Sequence, residues 1–360
     1  MHRLSGQLIS HYYFFQEIGQ DFWNNRQTTL RQKIWAYRRG FRSAKIVMYG
    51  LNEDNYQQYM PDLDFHRLRS VNGRYRRWID DKLTMKYVLQ AFDDHLPAYY
   101  YLLEEGKYPK ISQLPDCPSH TGTGVDDIID LLESQQYLAV KLLAGSLGVG
   151  FYKLGYENGC YLVNDKPLDR IRLEALLSDL RGYIITEYLT GHGELGSICG
   201  GRTNSVRIMT IKQPGNSPLI VGALMRFATQ DSGTVDNISA GGVVSMVDIE
   251  TGRFYNGRRL AGDEWQECSR HPDTGLLLEG VLPFWEQIKS VVISVCTYLS
   301  PLVWLGFDIV IMEQGFKIIE INSQAGIALH NYYHPMYVDE GQEHLFKNAI
   351  TRGPGLKSTS

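Results

Sequence analysis

The segment from Leu305 to Asn322 constrains this chain more than any other. It reads Leu305-Gly306-Phe307-Asp308-Ile309-Val310-Ile311, turn formers at Glu313-Gln314-Gly315, then Phe316-Lys317-Ile318-Ile319-Glu320-Ile321-Asn322. Two short β-branched, apolar runs on either side of a glycine turn predict a buried antiparallel hairpin. A turn centred on Gln314 sets Asp308 directly opposite Glu320, and the two-residue period of a strand puts Asn322 on the same face. Facing carboxylates repel, and the usual remedies are a shared proton or a bound cation. Three converging oxygen donors favour a hard cation such as Mg²⁺. The alternative is that Glu320 and Asn322 are polar residues closing a strand, but an unpaired carboxylate among such apolar neighbours is costly.

Further short runs with period two precede the hairpin: Tyr137 to Leu142, Gly150 to Tyr156, Cys160 to Val163, Tyr183 to Tyr188, Ser205 to Lys212, Leu219 to Ala228 and Val243 to Ile249. With helices expected over Asp80 to Phe92, capped by Asp80 or Asp81, and over Gly122 to Glu133, they predict an α+β fold of mostly antiparallel sheets. Three of these strands carry chemistry. Lys141 precedes Gly145-Ser146-Leu147-Gly148-Val149-Gly150, a loop suited to close backbone N–H groups over phosphates, although glycine-rich hairpin turns also serve structure alone. The strand ending in Glu187-Tyr188-Leu189 runs into Thr190-Gly191-His192-Gly193-Glu194, a hinge able to offer backbone groups to an adenine and a carboxylate to a ribose. His192 by itself is better explained as a structural histidine. Across the loop from Gln213 to Pro218, Arg207 opposes Leu224 and shares a face with Arg226. Paired arginines suit phosphate or carboxylate, and Val235-Asp236-Asn237 with Gly241-Gly242 can reach the same anion.

The first 79 residues differ in charge from the remainder. Of 36 basic and 40 acidic residues, 13 and 6 fall in residues 1–79, leaving 23 and 34 for the rest. A basic region on an acidic protein is either a solvated face or a surface for an anionic acceptor such as a phosphorylated glycan, a nucleic acid or an anionic lipid. Trp23, Leu30, Ile34, Tyr37 and Phe41 predict one amphipathic helix over Asp21 to Arg42, with a joining segment from Asn52 to Arg77. The expected organisation is a basic helical region over 1–79, lobes over 80–189 and 190–350, and a tail over 351–360. Val291 to Met312 reads as a buried helix broken at Pro301 and followed by a strand, so no membrane span is expected. Five scattered cysteines without a Cys-x-x-Cys pair, and no apolar leader within Met1 to Ser10, suggest the cytoplasm.

The order and spacing of these pieces resemble the ATP-grasp superfamily, most closely its sugar-transfer-associated branch, over roughly Asp80 to Tyr337. The resemblance implies two α+β lobes gripping ATP. Lys82 and Lys141 would touch its phosphates, Gly145, Ser146, Gly148 and Gly150 would cover them, and Glu187, Tyr188, Leu189 and Glu194 would hold the nucleoside. It implies Asp308, Glu320 and Asn322 as ligands to two Mg²⁺ ions, with Arg207, Arg226 and Asn237 at the transferring phosphate or the acceptor carboxylate. Leu142 stands where many members have proline, and residues 1–79 replace the α/β domain with which many begin. The expected reaction is ligation of a carboxylate to an amine through an acylphosphate, on a glycan or its precursor. The alternatives are a kinase acting on a hydroxyl and a nucleotide-binding scaffold without activity.

Overall fold

The computed structural model describes residues 2–106, 110–118, 122–145, 150–213, 215–233, 235–262 and 264–352, with side chains of the first helix from Ser10 onward. A first sheet is built from β1 (Tyr99–Leu103), β2 (Ile111–Gln113), β3 (Tyr137–Leu142), β4 (Tyr152–Glu157), β5 (Cys160–Val163), β6 (Lys166–Leu168) and β7 (Tyr183–Glu187). Its order is β2-β1-β7-β3-β4-β5-β6, and every pairing is antiparallel. Helices Val125–Gln135 and Arg170–Asp179 bury Ile128, Ile129, Leu132, Leu173 and Leu177 against Leu138, Val140 and Ile185 on one face. The first of these starts three residues later than its composition suggests. The Asp127 carboxylate accepts from the backbone N–H groups of Gly122 and Gly124, holding them in a cap outside the helix.

The second sheet comprises β8 (Asn204–Ile211), β9 (Leu219–Phe227), β10 (Val243–Val247), β11 (Arg253–Ala261), β12 (Glu264–Glu267), β13 (Gly280–Val281), β14 (Trp304–Met312) and β15 (Gly315–Asn322). Its order is β12-β11-β10-β9-β8-β14-β15, with β13 paired to β11. Helix Trp285–Tyr298 ends before Pro301, as expected, and packs Ile288, Val292 and Val295 on the face formed by Val206, Ile208, Met225, Phe307 and Ile309. Period two then directs Arg207, Arg226, Asp308, Glu320 and Asn322 to the opposite face. The hairpin turn is one residue tighter than expected, since Met312 pairs with Gly315 around Glu313-Gln314. The register shifts between Asp308 and Ile309, where Ile319 is the extra residue, so Asp308 still faces Glu320.

The basic N-terminal segment departs from the expected single helix over Asp21 to Arg42. A helix over His2–Asn24 is followed by another over Leu30–Arg38. Thr29 and Gln32 form a reciprocal capping box, while Asn25 Nδ2 donates to Thr28 Oγ1 and Ser43 Oγ, so local polar bonds stop the first helix and start the second. The joining segment is also more ordered than its composition suggests, containing a helix over Asp62–Leu68. Met60, Leu68 and Val71 share a core with Met209, Trp304, Tyr337 and Phe346. Asn72 reinforces it, donating to the carbonyls of Trp304 (2.7 Å) and Ser323 (3.0 Å) and accepting from Val303 N (2.8 Å). Among the described residues no helix is long and apolar enough to cross a membrane, and all five cysteines are free.

Candidate active site

Adjacent strands place Asp308 between two neighbours, Arg207 on β8 and Glu320 on β15. Arg207 grips the Asp308 carboxylate with two N–H groups, Nη2 to Oδ2 at 2.8 Å and Nε to Oδ1, while Arg226 Nη2 reaches Oδ1 at 3.0 Å. Burial alone would raise this carboxyl, yet the two guanidiniums hold it below the usual carboxylate range. Arg226 Nη2 also donates to Ser205 Oγ at 2.6 Å and approaches Asp236 Oδ1 at 3.6 Å, and the Ser205 hydroxyl donates to Asp236. Burial pushes the Asp236 carboxyl up, only partly offset by Arg226 and the Ser205 bond. The repulsion expected between Asp308 and Glu320 is therefore already met by cations in the protein. Glu320, 28% exposed, is paired with Lys82 Nζ at 3.5 Å, and Asn322 Nδ2 lies 3.5 Å from Asp308 Oδ2.

Lys82 joins this face to the first sheet. It opens helix Lys82–Val88, which Asp81 caps by accepting from Thr84 N, and its Nζ also donates to Gly145 O at 3.1 Å. Lys141 is drawn into the same group: burial and the Lys82 ammonium push it down to about 8, while Glu320 and Glu187 favour its charge. Glu187 accepts from Ala98 N and pairs with Lys317 Nζ at 3.5 Å, a second link between the sheets. Gly145 and Gly150 flank the loop, but Ser146 and Gly148 lie outside the described residues. The hinge after Leu189 is tied to the hairpin, as His192 N donates to Ile311 O and Gly193 N to Glu313 Oε1.

Not every expected residue joins the cluster. Glu194 is exposed in the first turn of helix Gly193–Ile198. The half-buried Tyr188 ring lies beside Tyr137 and under the Lys153 ammonium. Asn237 caps a short 3₁₀ turn by accepting from Ser239 N, and it is its neighbour Asp236 that approaches Arg226. In the basic region Arg39 is paired with Glu53 and Arg76 with Asp80, whereas Arg38 and Arg77 are exposed.

The structure also brings in residues for which the sequence carries little signal. Asp236 lies in the loop expected near the arginines, but its own bond to Ser205 and its approach to Arg226 carry no local signal. Lys317 follows from period two once β15 is placed against the first sheet. His330, on helix Ala328–Tyr333, has a buried Nε2 without a hydrogen-bond partner, and burial followed by the nearby Arg207 charge pushes it down to about 3. Its Nδ1 is 2.3 Å from where a Cβ on Gly222 would lie, so this close approach needs glycine there.

All the oxygen donors at Asp308, Glu320 and Asn322 are of the hard type that Mg²⁺ takes. Asp308 has most of its acceptor capacity occupied by the arginines, which leaves the Glu320 carboxylate as the most open acceptor of the three. No three His, Cys, Asp or Glu side chains among the described residues form a metal cluster, so a third protein donor to a cation held here would have to be of another type, such as the Asn322 amide oxygen. Lys82, Lys141, Lys317, Arg207 and Arg226 face Asp236, Asp308, Glu320 and Glu187, so charge nearly cancels before any ligand binds. A triphosphate nucleotide carrying two Mg²⁺ ions is itself close to neutral, and the residue types present fit such a group.

Two largely antiparallel sheets joined by a lysine, arginine and carboxylate cluster define an α+β protein of the ATP-grasp class. Residues 67–334 match the family described as sugar-transfer associated ATP-grasp, and the chain belongs to that family. No curated protein sequence matches it. Among solved structures it is similar to D-alanyl-alanine synthetase A from Vibrio cholerae, at 12% identity over 76% of this chain and 66% of that one, with a TM-score of 0.43. It is likewise similar to N5-carboxyaminoimidazole synthetase from Staphylococcus aureus complexed with ADP, at 10% identity over 79% and 53% with a TM-score of 0.43. The biotin carboxylase complex from Campylobacter jejuni matches at 14% identity over 78% and 48%, with a TM-score of 0.42. The chain thus spans about half to two-thirds of the length of these proteins.

Proposed function

We propose that the protein is an ATP-dependent ligase that activates a carboxylate as an acylphosphate and joins it to an amine, with lobes over 80–189 and 190–350 holding the nucleotide. The observation that carries this reading is the convergence of Arg207, Arg226, Asp308, Glu320 and Asn322 on one sheet face, linked through Lys82 to Lys141. Glu320 and Asn322, with the remaining capacity of Asp308, would hold Mg²⁺, which supplies charge neutralisation at the phosphates when bound. Lys82 and Lys141 bind phosphate oxygens, Gly145 to Gly150 shields them from water, and Glu187 to Leu189 orients the nucleoside. Arg207 and Arg226 stabilise charge on the phosphoryl group as it moves from ATP to the acceptor carboxylate, an electrostatic task that needs no covalent enzyme intermediate.

The deciding experiment incubates the full chain with MgATP and a panel of carboxylates and amines, glycan-linked ones included, and measures ADP, phosphate and product mass. A ligase gives all three changes only when both acceptors are present, the product having lost water. Phosphate retained on a hydroxyl acceptor identifies a kinase instead. Nucleotide binding without ADP formation across the panel identifies a scaffold.

Lys141 gives this reading a pH signature. Its ammonium form binds phosphate, and its proton is lost as pH rises through about 8. The apparent Kd for MgATP is therefore expected to be about tenfold weaker at about pH 9 than at about pH 7. Equilibrium titration of the wild type and of Lys141→Met checks this. Lys141→Met should bind weakly with a flat profile, and an unchanged slope in that variant assigns the pH dependence elsewhere.

A further inference from the structure

The first helix turns an aromatic stripe outward. Ser10 and Phe14 are buried, and the Asp21 carboxylate accepts from Ser43 N, Ala44 N and the Tyr37 hydroxyl, which fixes the inner face of the helix. On the other side Tyr12, Phe15, Phe22 and Trp23 are 59%, 65%, 38% and 78% exposed. The second helix continues this surface with Leu30 and Ile34, 60% and 50% exposed. Lys33 joins the two, its Nζ donating to Phe22 O at 2.5 Å and lying 5.1 Å from the Phe22 ring centroid.

The charge that these two helices themselves carry around the stripe is mainly positive. Between Ser10 and Leu51 the only carboxylates are Glu17 and Asp21, both half-buried. Glu17 is paired with Arg42 and His66, and Asp21 is engaged as described. Arg26, Arg31 and Arg38 are exposed, and no ion pair among the described residues neutralises them. Six large aromatic and aliphatic side chains rimmed by three open arginines are costly to leave in water; of the exposed carboxylates that touch these helices, Glu264 accepts from Gln27 Nε2 at 3.2 Å and Glu53 is paired with Arg39.

We infer that this face docks the protein on an anionic membrane surface, with Tyr12, Phe15, Phe22, Trp23, Leu30 and Ile34 entering the interface and Arg26, Arg31 and Arg38 meeting lipid phosphates or carboxylates. Tryptophan, tyrosine and phenylalanine beside arginine form the composition that settles at the headgroup boundary. Charge complementarity selects this occupant over a second copy, because a two-fold contact would bring the same arginines face to face. Exposed Leu30 and Ile34 suit acyl chains and offer nothing to nucleic acid bases. The surface lies on the N-terminal helices, so the inference stands independently of the reaction proposed above.

The test is cosedimentation of the full chain with phosphatidylcholine vesicles, alone or with about 30% phosphatidylserine. Binding is expected only to the anionic vesicles and is expected to fall with added salt. Phe22→Ala with Trp23→Ala should lower the partition coefficient about tenfold or more. Replacing Arg26, Arg31 and Arg38 by Gln should lower it about a hundredfold. Both variants alter exposed side chains, so their thermal midpoints should match the wild type, which separates lost docking from lost folding. Absence of binding to anionic vesicles, or equal binding by all three proteins, overturns the inference. So does a dimer in analytical ultracentrifugation that dissociates in the Phe22 and Trp23 variant, since the stripe is then a subunit contact.

Discussion

Replacing Glu320 by Ala is expected to lower ATP turnover by about a thousandfold or more while leaving the fold intact. In the proposed reaction Glu320 is the most open metal ligand, so its loss removes charge where the phosphates must be neutralised. Its structural ties are few: it is 28% exposed and its ion pair with Lys82 spans 3.5 Å. Lys82 is buried but keeps its bond to Gly145 O when Glu320 is removed, and relief of repulsion from Asp308 offsets part of the loss. Steady-state kinetics over a range of Mg²⁺ concentrations, beside urea unfolding, checks both halves. Wild-type turnover in Glu320→Ala would refute the metal assignment.

Asp308→Ala is expected to fail in a different way, losing about 3–5 kcal/mol of stability as well as activity. Asp308 is buried and bonded to both Arg207 and Arg226, so its removal strands two charges that have little access to water. The urea midpoint should fall markedly with an unchanged slope. The same ion pairs set an acid limit. Because the Asp308 carboxyl is held below its ordinary value of 3.8, its contribution is complete above that pH and is lost as pH falls through the depressed value. Arg207→Ala together with Asp308→Ala should recover part of the stability lost in Asp308→Ala alone. If it recovers none, Asp308 stabilises the fold through something other than its arginine partners.

Much of the second sheet is legible locally. The pairings of Arg207 with Leu224 and of Asp308 with Glu320 both follow from turn position and period two, and both are observed. The second is a near miss that the bulge at Ile319 corrects: a tighter turn moves the register by one residue and the extra residue moves it back. The N-terminal helices were less legible, because the apolar spacing over Asp21 to Arg42 runs through Asn25 to Thr29 without interruption. What breaks the helix there is a set of polar side-chain bonds, one of which reaches Ser43. Strand β1 is illegible for a related reason, since Tyr99–Leu103 is built of aromatic and leucine residues throughout and carries no alternation to distinguish a central strand from a helix.

The sequence by itself determined which residues share a strand face, because side-chain direction follows from local backbone geometry. It placed Asp308, Glu320 and Asn322 together, and Arg207 with Arg226, as two separate sets. Only the tertiary structure decided that the sets are one. Strand β8 lies beside β14, so Arg207 grips a carboxylate 101 residues away, and Lys82 reaches Glu320 across 238 residues. No period or turn rule spans such separations. Strand order is chosen by burial of the apolar back face against helix Trp285–Tyr298, and the polar face takes the neighbours that this packing supplies.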